Sequence, residues 1–173
     1  MRIRTPRRRA AVLVETAVIL TVFLLLLLMI IVGALMVFRA EQVSALAREG
    51  ARYASVHGGQ YQQETGNSAI ASSDIYNAIV PLSAGLNLQS SNVAVSLKTY
   101  KVNSDGTTTA VTKTWDAADP NGYPYNNYPY VVTGNNGSQT TASVVVTVTY
   151  PFAPEILGGS LTFTGTSEIP MSY

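Results

Sequence analysis

The chain has 173 residues, of which 47% are apolar and 12% are charged, about half the charged fraction of an average soluble domain. Five of the 11 basic residues lie within the first ten positions, so the remaining chain is mildly acidic. There is no cysteine and only one histidine. This composition excludes a disulfide framework, thiolate zinc sites, a cysteine nucleophile and a mechanism that needs two histidines.

The first predicted element is a long apolar helix. From Thr16 to Phe38 there are 23 consecutive residues without a charge. A helix of this length covers roughly 34 Å, enough to cross a ~30 Å hydrocarbon core. A buried helix of a soluble protein rarely stays apolar on all sides over such a length. A cleaved secretory signal is the stronger alternative, but its apolar region has only about 7–15 residues. We therefore predict a cytoplasmic leader at residues 1–10 and a retained transmembrane helix at residues 11–38.

Flanking charges predict the orientation of this helix. Five arginines precede it, including Arg7, Arg8 and Arg9, whereas three arginines follow it at wider spacing among acidic residues. The positive-inside rule then places the N-terminus in the cytoplasm and the rest of the chain outside, in a single-pass inner (cell) membrane protein. Nucleic-acid binding by the arginines is the weaker alternative, because a short basic tail beside a membrane span is typically a topology signal. We expect no nucleic-acid partner.

The helical pattern continues outside the predicted membrane segment, over residues 39–57. Apolar and small side chains recur at helical spacing in a narrow stripe formed by Val43, Leu46, Ala47, Gly50, Tyr53 and Ala54. Gly50 favours close approach of another segment. Glu49 and Arg52 lie three residues apart, a spacing at which they can pair on a helix. His57, followed by two glycines, is interpreted as a helix-end residue and not as a ligand.

Residues 58–173 predict a small extracytoplasmic head. Asn67 is a candidate cap for a short helix that carries Ile70, Ile75 and Ile79 and ends at Pro81. Alternating apolar residues predict four strands, namely Val93 to Val102, Thr107 to Trp115, Ser143 to Tyr150, and Leu161 to Met171. The predicted fold is α+β, in which a long N-terminal transmembrane and stalk helix precedes a mainly antiparallel sheet and one short helix.

A long loop rich in proline, tyrosine and asparagine separates the second and third predicted strands, at residues 116–130. Its tyrosines form a candidate binding loop: Tyr123, Tyr125, Tyr128 and Tyr130. Packing of these rings within a stiff loop is an equally good interpretation. Asp119, Asn121 and Gly122 match a fragment of a calcium loop, but the flanking ligands are missing, so a turn is favoured.

No common catalytic motif is found in the sequence. It contains no glycine-rich phosphate loop, HExxH, GxSxG or paired-carboxylate constellation. A serine or threonine nucleophile needs a base, and His57 lies beside the predicted membrane stalk. We therefore predict a protein that is not an enzyme, with no catalytic residue, no metal site and no cofactor.

Glu15 is the exceptional residue of the apolar helix. It has apolar neighbours on both sides, and a lone carboxylate within a membrane costs ~2.5–3.5 kcal/mol on insertion scales for aspartate. Such a residue is expected to have a partner or a function. Hydration at the cytoplasmic surface is the alternative, although Ala10 to Val14 would then be hydrated as well.

Three features together resemble the TadE-like pseudopilins, which are minor pilins of tight-adherence (Flp, type IVc) pilus and secretion systems. They are the segment from Arg7 to Glu15, the leucine-rich span, and the segment from Ala47 to Ala54. The resemblance is specific over roughly residues 7–56. It is loose at Tyr150 to Phe152 and at Leu157 to Thr162. Thr16 directly follows the glutamate, a position that is often hydrophobic or tyrosine in the family, which argues against a major Flp pilin.

The resemblance implies a processing site and a set of partners. A prepilin peptidase would cut between Ala10 and Ala11 and leave Glu15 as the fifth residue of the mature chain. The family usually has glycine before the cut, where this chain has Ala10. The implied function is structural, in assembly of a filament with other pilins or pseudopilins. The alternative is a stand-alone membrane-anchored adhesin or binding module, which needs no such cut.

Overall fold

The computed structural model describes residues 7–57, 70–115, 131–133, 139–153 and 158–171. The chain divides into two compact units, one up to Arg39 and one from Ala40 onward. A long N-terminal apolar helix, an antiparallel four-stranded sheet and one short helix confirm the predicted α+β class. The finer division into leader, membrane helix, helix extension and head stays a prediction.

Helix α1 runs from Arg7 to Val56. Its apolar part consists largely of leucine, isoleucine, valine and alanine, and it contains two threonines whose hydroxyl groups bond to the helix itself. Thr16 Oγ1 donates to the carbonyl of Val12, and Thr21 Oγ1 donates to the carbonyl of Ala17 over 2.8 Å. Such bonds to the preceding turn satisfy a hydroxyl group without a water molecule. The two threonines therefore fit an apolar environment.

Helix α2, from Ser72 to Ile79, is shorter than predicted. The backbone N–H of Ala71 donates to Asp74 Oδ2 over 2.8 Å, which caps the helix start. Ile70 lies before the helix and not on it, and the predicted cap Asn67 lies outside the described residues. A single 3₁₀ turn, Val80–Leu82, carries Pro81 and ends this segment.

The main sheet contains strands β1 (Val93–Val102), β2 (Thr108–Thr114), β5 (Ser143–Phe152) and β6 (Leu161–Pro170). Their order is β2-β1-β5-β6, and each neighbouring pair is antiparallel. All four predicted strands are thus confirmed. A tight turn joins β1 to β2, in which Asn103 N–H donates to the Thr107 carbonyl over 2.8 Å. Gly106 supplies the left-handed backbone of this turn, with a φ of 83°.

A second, two-stranded sheet was not predicted from the sequence. Strands β3 (Val131–Thr133) and β4 (Gln139–Thr141) pair antiparallel within the long connection between β2 and β5. Each strand has only three residues, too few for apolar alternation to be recognised. The neighbouring segments 116–130 and 134–138 lie outside the described residues.

The core of the C-terminal unit lies between one face of the main sheet and two helical segments. Its fully buried side chains come from α1, α2, β1, β5 and the residue after β2, and include Val43, Ala47, Ala51, Ala54, Ile75, Ile79, Leu97, Trp115, Val144, Val146 and Val148. The predicted helical stripe is therefore the buried face of α1. A methyl group added at Gly50 would lie 3.2 Å from Val146 Cγ1, so the small residue permits close packing there.

Trp115 closes the core at the end of β2. Its side chain is fully buried, and its indole N–H donates to the Ile70 carbonyl over 3.0 Å. Its backbone N–H donates to the Val95 carbonyl over 3.1 Å. A buried carbonyl that accepts no hydrogen bond is costly. The indole therefore fills volume in the core and also donates a hydrogen bond to the Ile70 carbonyl, in the segment that leads into α2.

Strand β6 approaches the backbone of α1 closely at Gly165. A Cβ atom placed on Gly165 would lie 2.8 Å from the Val43 carbonyl oxygen and 2.9 Å from the Ser44 backbone nitrogen. These neighbours are backbone atoms and cannot rotate away. Only glycine therefore fits at this position without a shift of the backbone, and the contact determines where β6 crosses α1.

We predict that Gly165→Ala destabilises the C-terminal unit by about 1–3 kcal/mol, because the new methyl group forces β6 away from α1. Thermal unfolding of the detergent-solubilised chain, followed by circular dichroism, measures the change. Thr166→Ala is the matched control, since Thr166 is the exposed neighbour on the same strand. Equal melting temperatures for the two variants would contradict the close contact.

Candidate membrane and assembly segment

The N-terminal part of α1 exposes large apolar side chains on all sides. Many of them are more than half exposed, including Val12, Leu13, Val18, Ile19, Phe23, Leu25, Met29, Ile30 and Val37. Within the described residues, the helix from Ala11 to Val56 is the one that is long and apolar enough to cross a membrane. Exposed apolar surface of this extent is costly in water and favourable in lipid. The helix is therefore consistent with single-pass membrane anchoring.

The residues of the predicted processing site lie near the start of this helix. Ala10 and Ala11 are consecutive residues of α1, and Glu15 follows Ala11 by about one turn on the same side. The Glu15 side chain is exposed. The structure thus places the predicted cleavage bond and the predicted assembly residue about 6 Å apart along the helix axis. Neither function is tested by this placement.

Two further sets of predicted residues are less completely described. Arg7, Arg8 and Arg9 belong to α1 by their backbone, but their side chains lie outside the described residues. The candidate binding loop with Tyr123, Tyr125, Tyr128 and Tyr130 lies outside them entirely. Both assignments stay predictions.

His57 lies at the end of α1, where the sequence places it. Its backbone N–H donates to the Ala54 carbonyl over 3.3 Å, and its Nδ1 lies 2.7 Å from the Tyr53 carbonyl oxygen. The imidazole also stacks on the Tyr53 ring, with 4.1 Å between ring centroids. A ring nitrogen that donates to a helix carbonyl satisfies the end of the helix. These contacts support the interpretation of His57 as a helix-end residue.

A polar cluster on the exposed face of the sheet was not predicted. Lys98 Nζ lies 2.8 and 3.0 Å from the two carboxylate oxygens of Glu168, and Ser143 Oγ donates to Glu168 Oε1 over 2.6 Å. Two hydrogen bonds lower the pKa of Glu168 from its usual value, and the one from Lys98 has a larger effect than the one from Ser143. The same hydrogen bond raises the pKa of Lys98.

This cluster joins β1, β5 and β6 through side-chain hydrogen bonds. A lysine that deprotonates a serine must be neutral, whereas the partner of Lys98 favours its charged form. The Ser143 hydroxyl also donates to a carboxylate and not to the amine. Within the described residues, no three histidine, cysteine, aspartate or glutamate side chains are placed to hold a metal ion. The cluster was missed because its members are 70 and 25 residues apart in sequence.

The lowered pKa of Glu168 predicts a pH-dependent stability. As the pH falls, Glu168 takes up a proton in the unfolded chain before it does so in the folded chain. Its contribution to the free energy of unfolding is therefore fully present above its ordinary pKa of 4.5. That contribution is lost as the pH falls through the lower pKa of the folded state. We expect Glu168→Gln to lower the melting temperature slightly at pH 7, and we expect the difference to disappear as the pH is lowered below about 4.

Melting curves of both chains across pH measure this effect. Glu41→Gln is the control, because Glu41 is an exposed carboxylate of α1. A difference between the wild type and Glu168→Gln that grows as the pH falls would contradict the role of the cluster.

The comparisons with known proteins concern the helix. Residues 10–52 match the family model described as TadE-like protein. The matched segment contains the Ala10–Ala11 bond, Glu15, the exposed apolar span and most of the buried helical stripe. No curated protein matches the chain, and no solved structure matches it. Over residues 10–52, the chain is similar to the TadE-like family, in agreement with the sequence resemblance.

Proposed function

We propose that the protein is a structural pseudopilin, a minor pilin that takes part in assembly of a tight-adherence-type pilus or secretion filament. The observation that carries this proposal is Glu15, the single carboxylate in the exposed apolar part of α1, within the segment that matches the TadE-like family model. Membrane lipid, a prepilin peptidase and other pilins or pseudopilins are its proposed partners. No enzymatic activity is proposed.

The proposed first step is cleavage between Ala10 and Ala11. It removes the arginine-rich leader from a cytoplasmic N-terminus and makes the Ala11 amine the new start of the helix. Glu15 then lies about one turn from the helix start, where the helix dipole favours a negative charge. Cleavage thereby creates a positive group close to the one carboxylate of the apolar segment.

The proposed second step is pairing between subunits. An amine and a carboxylate are each costly in an apolar setting, and pairing compensates both. We infer that Glu15 meets the Ala11 amine of an adjacent pilin. This contact sets the register between two helices, while the exposed leucine-rich surface provides packing area.

We predict that Glu15→Ala inserts into the membrane normally but enters filaments poorly. Loss of the carboxylate leaves the partner amine without compensation and removes the register contact. Incorporation is measured as the ratio of protein in sheared surface filaments to protein in the membrane fraction, and we expect a fall of roughly tenfold, as for a loss of about 1.4 kcal/mol.

Thr16→Val is the matched control, since it changes the neighbouring polar residue but keeps the carboxylate. We expect this variant to be incorporated like the wild type, because the Thr16 hydroxyl already bonds within its own helix. Normal incorporation of Glu15→Ala would refute the pairing.

A further inference from the structure

The end of the β5–β6 hairpin carries four apolar side chains on one face of the sheet. The register pairs Tyr150 with Phe163, and it pairs Phe152 with Leu161. Alternate residues of a strand share a face, so these four lie on the same face as Gly165, the face that packs against α1. The rings of Phe152 and Phe163 lie 5.9 Å apart between centroids. We call these four residues the hairpin-end cluster.

The core covers only part of the hairpin-end cluster. Tyr150 and Phe163 pack against the buried residues of the core, whereas Leu161 is 45% exposed and Phe152 is half-buried. The two strands around the cluster carry no charged residue from 144 to 153 or from 158 to 167. This end of the hairpin can therefore enter an apolar phase without the cost of burying a charge.

Two contacts within the C-terminal unit show at which end of the unit the cluster lies. A Cβ atom on Gly50 would lie 3.2 Å from Val146 Cγ1, and one on Gly165 would lie 2.8 Å from the Val43 carbonyl oxygen. Val146 pairs with Ser167, so β6 runs from the level of Val43 towards that of Gly50. Residues that precede Gly165 on β6 therefore extend towards the start of the unit, where the chain enters from the apolar segment.

The hairpin end extends far enough to reach the membrane surface. Leu161 precedes Gly165 by four residues, which is about 13 Å along the strand. On α1, Val43 follows Phe38, the last residue of the uncharged run, by five residues, which is about 7.5 Å of helix. The headgroup layer adds about 5–7 Å to each side of the hydrocarbon core. The length of β6 beyond Gly165 is thus comparable to the distance that separates Val43 from lipid.

We propose that the hairpin-end cluster docks into the membrane interface, between the headgroups and the upper acyl chains of the leaflet from which the head emerges. Tyrosine is enriched at this depth, and phenylalanine and leucine are typical residues on the buried face of interfacial segments. The anchor belongs to the same chain and keeps the hairpin beside the bilayer at high effective concentration, which favours lipid over a second protein as the occupant. The proposal rests on membrane anchoring by α1 but not on filament assembly.

The absence of cysteine allows a single fluorescent label at a chosen position of the full-length chain. Thr162→Cys places the label beside the cluster, at an exposed position on the other face of β6, and leaves the cluster intact. Thr108→Cys is the matched control, because Thr108 is exposed and pairs with Val102 at the far end of β1, about 30 Å from its first residue. Each labelled chain is reconstituted into phosphatidylcholine–phosphatidylglycerol vesicles that contain a lipid with a nitroxide on its headgroup.

We expect the headgroup nitroxide to quench the label of Thr162→Cys at least roughly threefold more strongly than that of Thr108→Cys, since the two positions differ in distance from the bilayer. Adding Leu161→Asp to the Thr162→Cys chain should lower this quenching roughly threefold, because it removes apolar surface and introduces a charge. Thr108→Asp in the same chain should leave the quenching unchanged. Melting temperatures equal to that of the parent chain would show that both aspartate variants fold.

Equal quenching of Thr162→Cys and Thr108→Cys would overturn the proposal, as would quenching that Leu161→Asp does not change. Shielding of the Thr162→Cys label that rises with the protein-to-lipid ratio would show that a second copy covers the cluster in place of lipid.

A label at Val18→Cys, with a nitroxide on the acyl chain, reports insertion of α1 separately. Quenching there without quenching of Thr162→Cys would refute the docking alone, and no quenching at either position would refute the anchoring on which it rests. Normal incorporation of Glu15→Ala into filaments would contradict the proposed pairing but leave the docking unaffected.

Discussion

The C-terminal unit depends on how closely the main sheet packs against α1. The face of α1 that packs on the sheet has only small residues at four positions, Ala47, Gly50, Ala51 and Ala54. On the sheet, Gly165 has no side chain that would separate β6 from α1. Each position alone has a modest effect, but together they let valines of the sheet contact the helix directly. Larger residues would separate the layers and expose Val144, Val146 and Val148 to water.

The same helix serves two different environments because its residue pattern changes along its length. From Thr16 to Phe38 it carries no charge and is apolar on all sides, which suits lipid. From Ala40 onward its apolar residues form a stripe on one side, which suits a protein core, and charged residues occupy the other side. One continuous element therefore contributes both the candidate membrane anchor and the largest share of small residues in the core. The segment that matches the TadE-like family model, residues 10–52, includes both patterns.

Much of this organisation could be predicted from the sequence, since it depends on local periodicity. The apolar run, the helical stripe and the alternating strands each repeat a simple pattern, and each was found in the structure. Contacts between distant residues could not be predicted in this way. The sequence does not show that Gly165 packs against α1, because this contact depends on where β6 crosses the helix near Val43. Lys98 and Glu168 contact each other only because β1 and β6 both pair with β5. Helix α2 was misjudged at its start, because the Asp74 carboxylate caps it from inside.

The most direct test of the account is the mass of the intact protein extracted from membranes, with and without a prepilin peptidase. We expect the peptidase to yield a chain that starts at Ala11 and retains its membrane helix, and we expect the uncleaved chain in its absence. A chain that keeps the arginine leader inside assembled filaments would contradict the proposed pseudopilin function, and a chain that starts near Glu41 would contradict retention of the anchor.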